Sequence, residues 1–215
     1  MKTRYHREIT VQALGPYFHP LALEEVIHAN LGQDAWYYQL GHDRYHFDNN
    51  SFVAGDQYCE EQRQLVITNL TNGMISKARQ AMGRLTHTVQ DFYAHSNYVD
   101  LWRARFPDSP AKDIDPLDAE ILRSALLRSG KIVYPLEALS FIDIFKPLVL
   151  PLLPKDSHAG MNIDDPSRNN FDWAFNASVN RTVKEYSNLS QKMTQEEIFC
   201  LTGLTQAAEK KNLIT

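Results

Sequence analysis

Thr86 to Asn97 reads Thr-His-Thr-Val-Gln-Asp-Phe-Tyr-Ala-His-Ser-Asn, the most informative segment for both the helical fold and the candidate site. It places a histidine, a carboxylate and a second histidine at steps of four: His87, Asp91 and His95. Each step of four drifts by only about 40° around a helix, so the three side chains share one face. Imidazole and carboxylate groups are ligands that zinc-type cations prefer. The same pattern is also typical of a solvated polar face.

The length of this stretch argues for more than one cation. The helix rises about 12 Å between His87 and His95, so these two imidazoles are not expected to bind the same ion. Cations in paired sites lie about 3.5–4 Å apart. Asp91, midway between the histidines, is placed to bridge such a pair. If this face binds metal, we therefore expect about two or three ions rather than one.

The surrounding segment predicts one long helix from Met74 to His95. Its apolar residues follow the three-four spacing of a buried stripe: Ile75, Ala78, Met82, Leu85, Val89 and Phe92. The histidines and Asp91 fall on the opposite side, which is either solvated or covered by a neighbouring element. Gly83 costs about 1 kcal/mol relative to alanine in a helix interior, which indicates close approach by a neighbour. A central helix covered on both sides is favoured.

The rest of the chain also reads as helical. Helices are expected at Tyr5–Phe18, Leu21–Leu31, Gln57–Leu70, Phe171–Leu189 and Thr194–Lys210. A further helix is expected after the Phe106–Pro116 connector and is predicted to run through Leu127. Thr194 and Glu197 have the spacing of a capping box. Polar loops are expected at Gly41–Ser51 and Lys155–Asn170. Without strand alternation or an internal repeat, the chain is predicted to be one all-α domain, residues 1–215, with long loops.

Composition excludes several classes of protein. The net charge of −4 gives no electrostatic indication of a nucleic-acid partner, although bound cations would attract a phosphate substrate. Cys59 and Cys200 are too few for a disulfide scaffold, and two reduced thiols are expected rather than one bridge. The first residues lack the apolar core of a secretory signal, and no run approaches the roughly 20 apolar residues that span a bilayer. We expect a cytoplasmic protein.

The apolar run Phe141–Leu153 is the second unusual segment. Pro147 and Pro151 forbid a continuous helix through it. We expect it either to contact a lipid interface, which would make the protein peripheral at a membrane, or to form a buried connector under the helices.

Further candidate ligands lie outside the long helix. His6 is on the first helix, and His46 and Asp48 lie in the segment Tyr-His-Phe-Asp-Asn. Taken singly, a lone helical histidine is more typical of a surface residue or of a hydrogen-bonded core residue. The sequence Asp48-Asn49-Asn50 is typical of a turn. Their weight comes from their combination with the central motif.

Together these motifs resemble the Het-C heterokaryon-incompatibility family, which is related to the zinc-dependent phospholipase C and single-strand nuclease superfamily. The resemblance covers about residues 3 to 180. It is carried by His-x-x-x-Asp-Phe-Tyr-x-His-Ser-Asn from His87, by His6 with Ile9 and Thr10, by the His46–Asn49 loop and by the segment His158–Asp164.

The resemblance implies an all-α fold of the zinc-dependent phospholipase C type with two or three zinc ions. By this analogy the metal ligands are His6, His46, Asp48, His87, Asp91, His95 and His158. His6 would bind one ion, His87 and Asp91 a second together with His46 or Asp48, and His95 a third. Asp91 would bridge, and Asp48 would be the catalytic general base. Phe171 and Phe175 stand where the superfamily supplies late ligands, so either His158 or Asp172 would replace those ligands or the third-metal site would be absent.

The resemblance further implies a metal-dependent phosphodiester hydrolase, a phospholipase C-like toxin or cell-death effector acting on membrane phospholipid. Phe141–Leu153 would make the peripheral membrane contact, and a regulatory or delivery partner protein is expected. One alternative is a non-enzymatic, membrane-perturbing cell-death protein with a structural metal site. The other is a zinc-dependent nuclease, which the apolar run disfavours because it points to lipid rather than nucleic acid.

Overall fold

A computed structural model describes residues 1–35, 42–140 and 144–204. The helices are α1 (Thr3–Leu14), α2 (Pro20–Gly32), α3 (Phe52–Thr71), α4 (Ile75–His95), α5 (Tyr98–Arg105), α6 (Ala119–Leu122), α7 (Leu136–Ser140), α8 (Lys146–Val149), α9 (His158–Met161), α10 (Phe171–Ser190) and α11 (Gln195–Thr202). Single 3-10 turns occur at Asp43–Tyr45, Asp48–Asn50, Ala111–Asp113 and Leu150–Leu152. Within the described ranges there is no strand, only isolated bridges. The all-α prediction is confirmed.

Helix α4 is the central element of the fold. Helices α2, α3 and α10 make its main contacts, and α1 and α11 pack against it more lightly. Every residue from Leu85 to His95 is buried, on the face that carries the histidines as well as on the apolar stripe. The expectation that both sides of this helix are covered is confirmed, and the solvated reading of the polar face is wrong.

Gly83 marks the point where α2 crosses α4. A Cβ atom at this position would lie 2.3 Å from the carbonyl oxygen of Val26 and 2.8 Å from the amide nitrogen of Asn30. Only glycine permits this approach of two backbones, as the sequence indicated. The crossing places Asn30 beside Thr86 and Gln90 on the buried face of α4.

The predicted helices occur, with some ends displaced. α3 begins at Phe52 rather than at Gln57, and α1 ends at Leu14, just before the Gly15–Pro16 pair. The Thr194 capping box of α11 is present. That helix ends at Gly203, whose φ of 70° is left-handed, and the predicted continuation beyond residue 204 lies outside the described residues. Cys59 and Cys200 are free thiols, as expected.

The prediction of a helix from the connector through Leu127 is wrong. Only Ala119–Leu122 is helical, beginning where the Asp118 carboxylate accepts hydrogen bonds from the next backbone amides. Ser124 then ends regular structure, because its hydroxyl accepts from the amide of Leu126 and holds the chain in a turn.

Residues 144–153 are called here the apolar segment. Ile144, Leu148 and Leu152 are 76%, 71% and 68% exposed, whereas Val149 is buried. The buried-connector alternative is therefore wrong for the three exposed residues, and the remainder of the predicted run, residues 141–143, lies outside the described residues. None of the helices in the described ranges combines the length and apolarity needed to cross a bilayer.

Candidate metal centre

The candidate centre lies where α1, α4, the loop before α3 and the start of α9 meet. All the residues singled out from the sequence are brought into this cluster: His6, His46, Asp48, His87, Asp91, His95 and His158. Each is buried. Their role as ligands stays a prediction, but their convergence is a property of the fold.

Asp91 is the shared member of the cluster. Its Oδ1 lies 3.1 Å from His6 Nε2 and 3.7 Å from His95 Nε2. Its Oδ2 lies 2.8 Å from His46 Nδ1 and 2.9 Å from His87 Nε2. The two carboxylate oxygens therefore face different sets of imidazoles.

Two sets of residues have the geometry of ligand groups. The first is His6, Asp34, His87 and Asp91, and the second is Asp48, His95 and His158; within each set the ligand atoms lie within 4.8 Å of one another. Ligands around one tetrahedral zinc ion lie about 3.4 Å apart, so small side-chain movements would close either set on a cation.

This grouping differs from the one implied by the resemblance. His6 belongs with His87, and their rings are stacked with centroids 4.3 Å apart, because α1 and α4 bring them face to face. Asp48 belongs with His95 and His158 rather than with His87. Its Oδ1 lies 2.8 Å from His158 Nδ1 and 3.5 Å from His95 Nδ1.

Sequence reasoning missed two carboxylates. Asp34 follows the end of α2, and its Oδ1 lies 3.7 Å from His87 Nε2. Asp164 Oδ1 lies 3.7 Å from His95 Nε2 and 3.3 Å from the amino group of Met1. Neither carboxylate has a histidine or acidic partner at helical spacing in the sequence. Asp164 is the last residue of the His158–Asp164 segment that carried part of the resemblance, which was the one available signal.

The late helix supplies no ligand through Asp172. This side chain is exposed on α10 and belongs to neither ligand group, whereas Phe171 and Phe175 pack with the core. Of His158 and Asp172, the two candidate replacements for the late ligands, His158 lies in the cluster and Asp172 does not.

The loop that carries His46 and Asp48 is fixed by the residue between them. Phe47 adopts a left-handed φ of 58°, and its ring packs on Gly55, where a Cβ atom would lie 2.4 Å away. The ring also meets Phe92 edge-on at 5.1 Å. Because Phe47 points into the core, its neighbours on either side reach Asp91 and His158.

Buried polar atoms in the cluster are consistent with cation binding. Among the described residues, His6 Nε2, His46 Nε2 and His87 Nδ1 have no hydrogen-bond partner, and the His6 contact with Asp91 lacks hydrogen-bond geometry. A buried polar atom without a partner is costly, and functional sites are a common exception. Burial lowers the pKa of His87 to about 4, so this imidazole is neutral, as a ligand must be.

The acidic groups of the cluster remain ionised. Burial alone would raise the pKa of Asp91, but the amino group of Met1, 2.6 Å away, and the surrounding imidazoles hold it well below its usual value. Burial opposes protonation of His158, yet the Asp48 carboxylate raises the pKa of this imidazole to about 9. The cluster is thus a buried site that concentrates positive charge beside carboxylates.

Comparison with known proteins corrects the family inferred from the sequence. A family model described as the VWA7 N-terminal domain matches residues 9–113. The von Willebrand factor A domain-containing protein 7 of Rattus norvegicus is 35% identical over 80 residues, which are 37% of this chain and 9% of that protein. No solved structure matches the chain.

These similarities point to a VWA7-like family. The resemblance to Het-C and to the zinc-dependent phospholipase C superfamily is therefore wrong. The matched range includes Asp34, the loop with His46 and Asp48, and the whole motif on α4. Ligands at steps of four follow from helix geometry and metal chemistry, so this spacing alone does not identify a family. The chain spans less than a tenth of the length of this relative.

Proposed function

We propose that the cluster binds divalent cations of the zinc class and that the protein hydrolyses phosphodiesters. The observation that carries this proposal is the position of Asp91 between the two ligand groups: its Oδ2 lies 2.9 Å from His87 Nε2 of the first group, and its Oδ1 lies 3.7 Å from His95 Nε2 of the second. A carboxylate with this environment suits a bridge between neighbouring cations. The second ligand group, built on Asp48, supports more than one ion.

Zinc-type cations at such a site would polarise a phosphoryl oxygen and lower the pKa of a water molecule. The protein side chains would orient that chemistry. His6 and His87 are held by helix packing rather than by a mobile loop, so their nitrogens have defined positions. Asp48 remains the predicted general base: its pKa is lowered because His158 and His95 outweigh the effect of burial, so it is ionised and able to accept a proton.

The apolar segment supports a phospholipid as the substrate. The chain enters and leaves this region beside the candidate centre, because the amide of His158 donates to the carbonyl of Lys131 at 2.9 Å. Buried Glu137 on α7 accepts a hydrogen bond from the amide of Ala159 at 2.6 Å. A membrane contacted through Ile144 and Leu148 would therefore lie near the cluster.

Zinc content and lipid turnover together test the proposal. The protein is expected to retain zinc after dialysis and to release a phosphorylated head group from liposomes, with loss of both in His87→Ala and Asp91→Asn. His28→Ala is the matched control, because His28 is an exposed histidine on α2 outside both ligand groups. Intact lipid in the presence of stoichiometric zinc would contradict the proposal.

The same assay separates the alternatives. Dye leakage from liposomes without lipid turnover would indicate a membrane-perturbing protein with a structural metal site. Cleavage of single-stranded nucleic acid with intact lipid would indicate a nuclease. The expectations of a cell-death role and of a delivery or regulatory partner came from the Het-C resemblance, and no contact in the described residues supports them.

A further inference from the structure

The edge of His6 that faces away from Asp91 contacts Gln90. His6 Nδ1 lies 2.8 Å from Gln90 Oε1, and both residues are fully buried. A neutral imidazole carries its proton on either nitrogen, and an amide can be turned end for end, so this contact alone fixes neither. The groups around Gln90 resolve both choices.

Three buried threonines next to these amides use their hydroxyl protons on the backbone. Each donates to a carbonyl of its own helix: Thr10 to His6 at 2.7 Å, Thr86 to Gly83 at 2.9 Å and Thr182 to Ser178 at 2.8 Å. A hydroxyl has a single proton to donate. Toward any other neighbour, these three oxygens can therefore only accept.

The orientation of the Gln90 amide follows from these acceptors. Its Nε2 lies 3.1 Å from Thr10 Oγ1 and 3.2 Å from Thr182 Oγ1, so the amino end must face the threonines. Asn30 is oriented in the same way, with Nδ2 3.0 Å from Thr86 Oγ1, and it also donates to Gln90 Oε1 at 3.2 Å. The carbonyl end of Gln90 consequently faces His6, and His6 Nδ1 carries the proton.

We propose that Gln90 is a positioning residue that holds His6 with Nδ1 protonated and the Nε2 lone pair directed into the candidate centre. Nε2 lies 3.1 Å from Asp91 Oδ1 without hydrogen-bond geometry, and a lone pair facing an ionised carboxylate is stabilised when a cation lies between the two atoms. The proposal rests on the proposed function in that Nε2 is taken as a metal-binding atom. It does not depend on which substrate, if any, is hydrolysed.

Nuclear magnetic resonance tests the protonation directly. Protein labelled with ¹⁵N-histidine and stripped of metal with a chelator is examined at neutral pH by long-range ¹H–¹⁵N correlation, and His6→Asn identifies the His6 signals. The expected pattern is that of a ring protonated on Nδ1 with Nε2 unprotonated. A proton on Nε2 of His6 in the wild-type protein would overturn the proposal.

Zinc affinity tests whether this orientation matters. Gln90→Met removes the acceptor and is expected to raise the apparent zinc dissociation constant by about 10–100-fold. Gln90→Glu keeps an acceptor for Nδ1–H and should restore most of that affinity. Thr88→Val is the control and should bind zinc like the wild type, because this buried threonine on α4 donates to the carbonyl of Arg84 at 3.1 Å rather than to Gln90. Equal affinity in Gln90→Met and wild type would overturn the proposal.

The outcomes distinguish this proposal from the hydrolase proposal. The predicted affinity differences without any phosphodiester cleavage would contradict the hydrolase and support the positioning role. Metal-dependent cleavage with His6 protonated on Nε2 would do the reverse. If Gln90→Met fails to fold, the wild-type spectrum still shows which nitrogen of His6 carries the proton. The zinc affinity of Gln90→Glu then tests the positioning role, because a merely structural role predicts no preference for a hydrogen-bond acceptor at this position.

Discussion

The imidazole rings of His6 and His87 lie stacked with their centroids 4.3 Å apart and an interplanar angle of 24°, although they come from different helices. Both residues are fully buried, and both point their Nε2 atoms toward Asp91. Two imidazoles stacked beside an ionised carboxylate form a rigid set of donor atoms.

The helix crossing at Gly83 predicts that Gly83→Ala lowers the free energy of unfolding, the opposite of what this substitution does in an ordinary helix. In an ordinary helix interior, Gly→Ala stabilises by roughly 1 kcal/mol. In Gly83→Ala the new methyl group would lie 2.3 Å from the Val26 carbonyl oxygen, so α2 must move away. We expect a loss of about 1–3 kcal/mol in the free energy of unfolding, measured by urea denaturation. Gly32→Ala is the control, because a Cβ there meets nothing within 4 Å. Equal stability in both variants would contradict the crossing.

A buried ion cluster joins α3 to α10 and predicts an acid-sensitive stability. The carboxylate of Glu185 accepts hydrogen bonds from Arg63 at 2.8 Å and from Arg181 at 2.7 Å. Removing one member of such a buried pair costs about 3 kcal/mol or more, so Glu185→Gln is expected to be strongly destabilised at pH 7. The exposed Glu60, which also contacts Arg63, is the matched control, and Glu60→Gln should lose less than about 1 kcal/mol.

The pH dependence of this cluster has a defined sign. Burial acts to raise the pKa of Glu185, but the two guanidinium groups outweigh it and the pKa lies below the ordinary value of 4.5. Because the pKa is lower in the folded state, the contribution to stability is fully present above pH 4.5 and is lost as the pH falls below it. The difference in unfolding free energy between wild type and Glu185→Gln should therefore shrink on acidification below pH 4.5. A difference that grows with acid would contradict this assignment.

The apolar segment predicts membrane binding that depends on individual side chains. Ile144→Ser with Leu148→Ser removes two strongly exposed apolar groups, each worth about 1.5–3 kcal/mol if buried in lipid. Liposome sedimentation should show at least about tenfold weaker binding of this double variant, with unchanged thermal unfolding. Leu21→Ser is the matched control, since Leu21 on α2 is 74% exposed and lies outside the segment. Equal weakening by Leu21→Ser would contradict a specific lipid-facing surface.

Much of the fold was predictable because it depends on local patterns. The three-four stripe defined α4, and Gly83 indicated a close neighbour that the structure identifies as α2. The Thr194 capping box was correctly placed for the same reason, since its hydrogen bonds join residues three positions apart. The region through Leu127 was less predictable, because the Asp118 cap starts a helix only at Ala119 and the contact of Ser124 with the amide of Leu126 holds the following chain in a turn.

The candidate site was predictable only in part. Spacing along one helix placed His87, Asp91 and His95 on one face, but spacing carries no information on what covers that face. Asp34 joins the cluster because α2 ends beside α4, a relationship that depends on tertiary packing. The family could not be inferred from the motif, since the same ligand spacing arises wherever a helix presents imidazoles and a carboxylate to shared cations.

Binding of shared divalent cations by the imidazoles of α1 and α4 and by the Asp91 carboxylate can be tested by X-ray diffraction from zinc-loaded crystals, recorded above and below the zinc absorption edge. We expect at least two anomalous peaks, with the two oxygens of Asp91 bound to different ions and with His6 Nε2 at about 2.0–2.1 Å from one of them. Absence of anomalous density at Asp91, or a single ion that contacts neither His6 nor His87, would contradict it.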